Sequence, residues 1–141
     1  MGTELTLTEL SNRFDTLVKE FPKERRKLME TSGDKIKSEV QTNVDAVGED
    51  TGRLRAAVTK AIGSGGGYAA VRNDYRIAPH AHLVEHGHWM VGHDGRLLTL
   101  KSGGSWVAGR KMYERAIMSL KDELIADADA MLKKVVKDQF G

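Results

Sequence analysis

The residues with the clearest chemical potential lie in the stretch APHAHLVEHGHW, which spans positions 78–89 and holds four of the five histidines of the chain. Within it, His82, Glu85 and His86 form the pattern H-x-x-E-H, the inverted signature of a group of zinc proteases. On a helix, two histidines four residues apart share one face. Two imidazoles and a third ligand can hold zinc while a carboxylate activates its bound water. The pattern therefore raises a small zinc-dependent hydrolase as one hypothesis.

The surroundings of this pattern favour a different use of the histidines. Pro79 suits the first turn of a helix and Gly87 suits its end, so the helix would have only about two turns. A third zinc ligand is not defined, because Glu114 and Glu123 in the C-terminal third have no distinguishing context. We therefore predict no catalytic residues, no metal site and no cofactor. The histidines are predicted to lie at an interface, whose assembly would depend on pH because an unperturbed imidazole titrates near pH 6.5.

A glycine run, GSGGG at positions 63–67, is the second feature that could do chemistry. It lacks the Gly-Lys-Ser/Thr ending of a phosphate-binding loop, so nucleotide binding is disfavoured. The run favours a flexible hairpin connection. It follows RLRAAVTKAI at 53–62, which suits either a strand or a helix, and precedes YAAVRN at 68–73, which has strand character.

The outer thirds of the chain are predicted to be helical. Thr6 and Glu9 fit a capping box that starts the first helix. Pro22 is predicted to open a second helix, because proline cannot donate in a helix interior, and Gly48 is its predicted end. Apolar residues at gaps of three and four predict a C-terminal helix from Arg110 to Gln139, roughly 45 Å long at 1.5 Å per residue. A helix of this length is predicted either to pack in part against a neighbouring subunit or to extend beyond the domain.

Length and composition indicate one ordinary soluble domain. The chain has 141 residues, 40% hydrophobic and 30% charged, and no cysteine. We expect a single domain, with a helical region at 1–48, a sheet and loop region at 49–105 and the C-terminal helix at 106–141. The glycine-bounded loop at 89–105 is expected to carry recognition. No export signal and no bilayer-spanning segment are expected.

Charge is unevenly distributed along the chain. Residues 52–111 hold nine Lys and Arg against three Asp and Glu, whereas the flanks hold thirteen against seventeen. Such a basic middle, in which Trp89 and Trp106 interleave with arginines, fits either a partner-binding surface or a nucleic-acid-binding protein. Nucleic-acid binding is therefore a second alternative.

Four short segments, read in order, carry a resemblance to a known family. They are TGRLRAAV at 51–58, the histidine stretch at 78–89, the glycine-rich loop that follows it, and WVAGRKMYERAI at 106–117. The set resembles the phage gene-product-ten-like tail-component family, which includes neck, head–tail joining and tail-completion proteins. His80 and Met112 stand where that family usually has an aromatic residue. The matching positions are Thr51, Gly52, Leu54, His80, Ala81, Val84, Glu85, Gly87, Val107, Gly109, Met112 and Ala116.

The resemblance implies an α+β fold in which a small antiparallel sheet is packed by N-terminal helices and a long C-terminal helix. It implies a structural protein rather than an enzyme: a homo-oligomeric ring at the head–tail junction that meets other neck, connector and tail proteins. DNA would pass through without sequence-specific binding, and no membrane is involved. The protein would be assembled in the bacterial host cytoplasm and end in the virion. The candidate interface residues are Thr51, Gly52, Leu54, His80, Glu85, Gly87, Trp89, Val107 and Gly109.

Overall fold

The structure is a computed structural model that describes residues 6–48, 52–89 and 106–141. It has the predicted α+β composition, with long helices at both ends and short strands between them. In chain order the elements are α1 (Leu7–Val47), α2 (Arg53–Ala56), β1 (Val58–Ile62), a 3₁₀ turn (Ser64–Gly66), β2 (Ala69–Asn73), α3 (Ala81–His86), β3 (Gly87–Trp89), β4 (Trp106–Ala108) and α4 (Met112–Phe140).

The N-terminal helix begins at the predicted capping box and ends at Gly48, which was predicted to end a second helix. The amide of Glu9 donates to the Thr6 hydroxyl at 3.1 Å, and the amide of Thr6 donates to the Glu9 carboxylate at 3.0 Å, which is the reciprocal capping box. At the other end Gly48 has a φ of 80° and donates its amide to the Asp45 carbonyl at 3.2 Å. A left-handed glycine of this kind is the common end of a helix.

The predicted break at Pro22 is wrong, because α1 runs without interruption through 41 residues. A proline inside a helix removes one backbone hydrogen bond and costs about 3 kcal/mol. Packing on the following turns compensates for this cost. Glu24 and Leu28 line a shallow surface depression together with Met131 of α4, so this part of α1 is held by tertiary contacts. In proteins such contacts contribute more to helix stability than local propensity does.

The chain divides into two compact units. The first contains residues 1–35, 60–70 and 120–141, and the second contains residues 36–59 and 71–119. The single domain expected from the sequence stays a prediction.

In the first unit, the start of α1 and the end of α4 run antiparallel. Arg13 donates from its guanidinium to the Gln139 carbonyl at 3.1 Å. Further along α1, Lys35 forms an ion pair with Glu123 at 2.9 Å. The residue number of the α4 partner therefore decreases as the residue number along α1 increases, which is the mark of antiparallel helices. Val135 is the buried apolar residue of α4 in this unit, with 3% of its surface exposed.

The second unit contains the main apolar cluster of the described residues. It is formed by the end of α1, by α2 and β1, by the turn before α3, and by the first turns of α4. Ile36, Val47, Val71, Val84 and Tyr113 pack around it at partial burial. Its buried members are Val40, Val44, Leu54, Ala57, Val58, Ala78, Ala81, Met112 and Ala116.

Two separate two-stranded antiparallel sheets form the β part of the fold. The first pairs β1 with β2, and the glycine run connects them as predicted, closed by a 2.8 Å hydrogen bond from the Gly63 amide to the Tyr68 carbonyl. The ambiguous stretch 53–62 divides into α2 and β1. The second sheet pairs His88 of β3 with Val107 of β4. Most of the predicted loop at 89–105 lies outside the described residues.

Candidate functional site

Two of the segments that carry the predicted family resemblance meet at one place, where the histidine stretch contacts the start of the C-terminal helix. The amide of Arg110 donates to the Val84 carbonyl at 2.6 Å, and the amide of Lys111 donates to the Glu85 carbonyl at 3.1 Å. The antiparallel pairing of β3 with β4 continues this contact. We call residues 84–89 and 106–114 together the joint. Segments that are far apart in the sequence are thus parts of one backbone-bonded structure.

The two glycines of the joint, Gly87 and Gly109, allow the backbones of its two segments to approach each other closely. Gly87 has a φ of 91°, and a β-carbon on it would lie 2.6 Å from the Val107 carbonyl oxygen. A β-carbon on Gly109 would lie 2.4 Å from the Glu85 carbonyl oxygen and 2.7 Å from the Gly87 nitrogen. These obstacles are backbone atoms, which cannot turn away as a side chain can. The motif glycines are therefore required by packing.

Replacing Gly109 with alanine is expected to destabilise the protein by about 1–3 kcal/mol, the usual cost of inserting a methyl group where no space exists. Urea unfolding followed by circular dichroism measures the change. Gly67→Ala is the matched control, because Gly67 has a φ of −81° and a β-carbon there would meet its nearest neighbour at 4.0 Å. Equal stability of the two variants would contradict the close approach at the joint.

Glu85 connects the two parts of the joint, because its side chain caps the N-terminus of α4. Its side chain is buried, with 8% exposed. Both carboxylate oxygens accept from the Tyr113 amide at 3.1 Å, and one also accepts from the Glu114 amide at 3.1 Å. These amides belong to the first turn of α4, where donors lack partners within the helix and the helix dipole favours negative charge. Glu85 thus replaces the Ser, Thr or Asp that usually caps a helix.

Sequence patterns did not reveal the roles of three further residues, which lie in the joint or contact it. Asn43 of α1 donates from its side-chain amide to the Met112 carbonyl at 2.9 Å. Lys111 precedes α4 with a φ of 51°, in the left-handed region that non-glycine residues rarely adopt. Tyr113 donates its backbone amide to Glu85. A sequence signal for these roles is lacking, because each depends on a partner or a backbone angle that only the folded chain provides.

The remaining predicted interface residues divide between the core, the surface and the undescribed part of the chain. Gly52 has a φ of 72° directly before α2, where glycine adopts this angle without strain. Leu54 lies in the apolar cluster, with 4% exposed. His80 lies exposed at the start of α3. Thr51 lies outside the described residues.

The β3–β4 sheet presents an aromatic surface beside the joint. Trp89 and Trp106 face each other in register, with ring centroids 5.7 Å apart and an edge-on angle of 73°. Trp106 is 52% exposed and Val107 is 39% exposed. Exposed aromatic residues are typical centres of protein–protein contacts. Of the predicted interface residues, Trp89, Val107, Glu85, Gly87 and Gly109 are brought together here.

An open cleft of about 260 Å³ is lined in part by residues of α3. Burial, reinforced by the negative charge of Glu85 and by Tyr75, raises the pKa of Tyr113 to about 12. Its hydroxyl consequently remains a hydrogen-bond donor throughout the neutral range. The cleft is lined by Val71, Arg72, Asn73, Tyr75, Ala81, His82, Glu85, His86 and Tyr113.

The geometry gives the zinc-hydrolase alternative no support. His82 and His86 lie exposed on α3, and the ring of His82 bonds the Pro79 carbonyl at 3.2 Å. Glu85, which would have to activate a water, instead holds two backbone amides of α4. Within residues 6–48, 52–89 and 106–141, no three His, Asp or Glu side chains come together as metal ligands.

The basic middle of the chain is partly neutralised by ion pairs. In the second unit, Arg55 pairs with Asp45, Arg76 with Asp74 at 2.9 Å and Lys111 with Glu114 at 3.1 Å. The Arg76 guanidinium lowers the pKa of the Asp74 carboxyl, which keeps this pair charged. In the first unit, Lys60 pairs with Asp34 at 2.5 Å. Four of the nine basic residues of the middle are therefore paired with carboxylates of the same chain.

Comparison with known proteins gives one family match. The family model described as "Bacteriophage HK97-gp10, putative tail-component" matches residues 8–87, which is more than half of the chain. No curated protein and no solved structure gives a significant match. Among the described helices, none has a stretch long and apolar enough to cross a membrane.

Proposed function

Because this chain belongs to the HK97-gp10-like family of phage tail components, we propose that it is a non-enzymatic structural protein of the head–tail junction. The observation that carries the proposal is the family match over residues 8–87, which covers α1 from its second residue, the β1–β2 sheet and the histidine stretch up to Gly87. The use of Glu85 and the two joint glycines for backbone architecture supports it further. Residues that build a scaffold fit an assembly role better than a catalytic one.

Within this role we assign the protein to a homo-oligomeric ring in the neck or tail-completion complex. A closed ring requires heterologous contacts, in which one patch of a subunit meets a different patch of its neighbour. The aromatic surface on β3 and β4 offers one such patch, since Trp106 and Val107 are exposed on paired strands. The exposed histidines of α3 lie directly before it in the chain. Other neck, connector and tail proteins would contact the remaining faces.

The proposed position also defines where the protein would be found. A ring at the junction between capsid connector and tail becomes part of the virion after assembly in the host cytoplasm. DNA would pass through its centre, held by no sequence-specific contact. The engagement of Arg55, Arg76 and Lys111 by carboxylates agrees with this passive role.

Interruption of the gene in the phage or prophage that carries it tests this function. We expect electron microscopy of the induced lysate to show DNA-filled capsids and tails that are not joined, and the infectious titre to fall to background. A plasmid copy of the wild-type gene should restore joined particles. A copy with both His82→Ala and His86→Ala should restore them at neutral pH as well, because no catalysis is involved. Normal infectious particles without the gene would overturn the proposal.

A further inference from the structure

The C-terminal half of α4 has a second apolar side in addition to the one that packs in its own unit. Ile125, Leu132 and Val136 are 59%, 49% and 44% exposed. Their spacing of seven and four residues places them in one row along the helix. Val135, which is 3% exposed, faces a different direction. A row of large apolar side chains therefore remains accessible along three turns.

This row continues onto the start of α1 within the same unit. The rings of Phe14 and Phe140 are in contact, with centroids 5.1 Å apart. Phe14 is 50% exposed and Val18, one turn further along α1, is 71% exposed. An open groove of about 610 Å³ beside the row is lined by Leu132, Val136 and Phe140, with lysines at its margin. We call Ile125, Leu132, Val136 and Phe140 the α4 face. Continuous exposed apolar surfaces of this kind mark interaction sites.

The charges along α4 indicate what covers this face. On the exposed flank of the row, Asp129 precedes Leu132 and Lys133 follows it. Glu123, Asp127 and Lys134 instead pair with α1 of the same chain. A second α4 that runs in the opposite direction therefore places its basic part against the acidic part of the first. A parallel copy would place like charges together. The flank formed by Asp129 and Lys133 is therefore complementary to itself when the two helices are antiparallel.

We propose that the α4 face binds a second copy of this chain, with the two α4 helices antiparallel about a two-fold axis at Leu132. In this register Leu132 meets Leu132 of the second copy, and Val136 lies opposite Ala128. Ile125 reaches the Phe140 ring of the second copy. The apolar residues of the row and its margin thus gain apolar partners in a single arrangement.

The same register also brings together charged side chains of the two copies beside the apolar row. Lys133 forms an ion pair with Asp129 of its own helix at 2.8 Å. Across the axis, Lys133 of the second copy lies about two residues, or roughly 3 Å along the helix, from Asp129 of the first. The two pairs therefore form one network of four charges. Because both subunits use the same patch, this contact is isologous and differs from a ring seam. It goes beyond the proposed function and does not depend on it.

Sedimentation of the purified full chain tests the contact. We expect a concentration-dependent dimer that Leu132→Glu converts to a monomer. Met118→Glu is the matched control: Met118 lies on the same side of α4 and is 71% exposed, but it falls outside the overlap. Lys133→Glu alone should weaken the dimer, and Asp129→Lys combined with Lys133→Glu should restore it. Circular dichroism checks that each variant is folded. If Leu132→Glu does not fold, the variants at Asp129 and Lys133 test the dimer contact.

Cross-linking fixes the register, because the chain contains no cysteine of its own. Leu132→Cys should form a disulfide-linked dimer under mild oxidation. Met118→Cys should remain uncross-linked, since the two copies of position 118 would lie about 42 Å apart along the helices. The proposal would be overturned if the protein were a monomer at every concentration. It would also be overturned by a dimer that is insensitive to Leu132→Glu and is cross-linked through position 118. All measurements use isolated protein, so their failure would leave the phage-assembly test untouched.

Discussion

Replacing Glu85 with alanine is expected to lower the free energy of unfolding by about 2–4 kcal/mol, although Glu85 lies in a six-residue helix at the molecular surface. The loss has two parts. The amides of Tyr113 and Glu114 lose their charged acceptor, and buried donors without a partner cost about 1–3 kcal/mol. The helix also loses a negative charge at its positive end, which contributes up to about 2 kcal/mol when the site is partly buried.

Glu85→Gln separates these contributions, because glutamine retains the size of the side chain and one accepting oxygen but not the charge. We expect it to lose about half as much as Glu85→Ala, as charged acceptors form hydrogen bonds about twice as strong as neutral ones. Glu114→Gln is the matched control. It lies in the same first turn of α4, but its side chain is 60% exposed and pairs with Lys111 at the surface. Such pairs contribute about 0–1 kcal/mol.

Urea unfolding at pH 7, followed by far-ultraviolet circular dichroism, gives the three free energies. Tryptophan fluorescence provides a second probe, because Trp89 and Trp106 belong to the joint that Glu85 stabilises. Both probes should shift together in Glu85→Ala. If Glu85→Ala were no less stable than Glu114→Gln, the buried carboxylate would not be the cap of α4.

The features predicted from the sequence are those whose physical cause is local. The capping box of Thr6 and Glu9 lies within one helical turn, and Gly48 ends α1 through its own backbone angle. The glycine run at 63–67 connects neighbouring strands. Pro22 shows the limit of local reasoning, because its preference to begin a helix is overridden by packing of the next turns against α4.

The joint was predictable in its residues but not in its mechanism. The family resemblance had selected Glu85, Gly87, Val107 and Gly109 as interface candidates, and spacing alone had suggested zinc chemistry for Glu85. Its bonds reach residues 28 and 29 positions further along the chain, which no local pattern can indicate. The position before α4 is occupied by Lys111, whose side chain cannot accept a hydrogen bond. The local sequence therefore lacks an N-cap signal where the structure has a strong cap.

Met112 joins this cap to the apolar cluster, and Met112→Ala is expected to cost about 2–5 kcal/mol. The side chain is 1% exposed and packs with Val40 and Val44 of α1. Its removal leaves a cavity at the first turn of α4, where the Met112 carbonyl also accepts from Asn43. Such a loss is a large share of the roughly 5–15 kcal/mol that stabilises a typical domain.

Thermal unfolding distinguishes this cavity from a general effect of methionine loss. Met112→Leu, which nearly conserves volume, is expected to cost less than about 1.5 kcal/mol. Met118→Ala, at a 71% exposed position six residues further along α4, should change stability by no more than about 0.5 kcal/mol. Equal losses for Met112→Ala and Met118→Ala would place Met112 outside the core. Because Met112 sits where Glu85, Asn43 and the apolar cluster converge on α4, its loss should lower phage complementation more at high temperature than at low temperature.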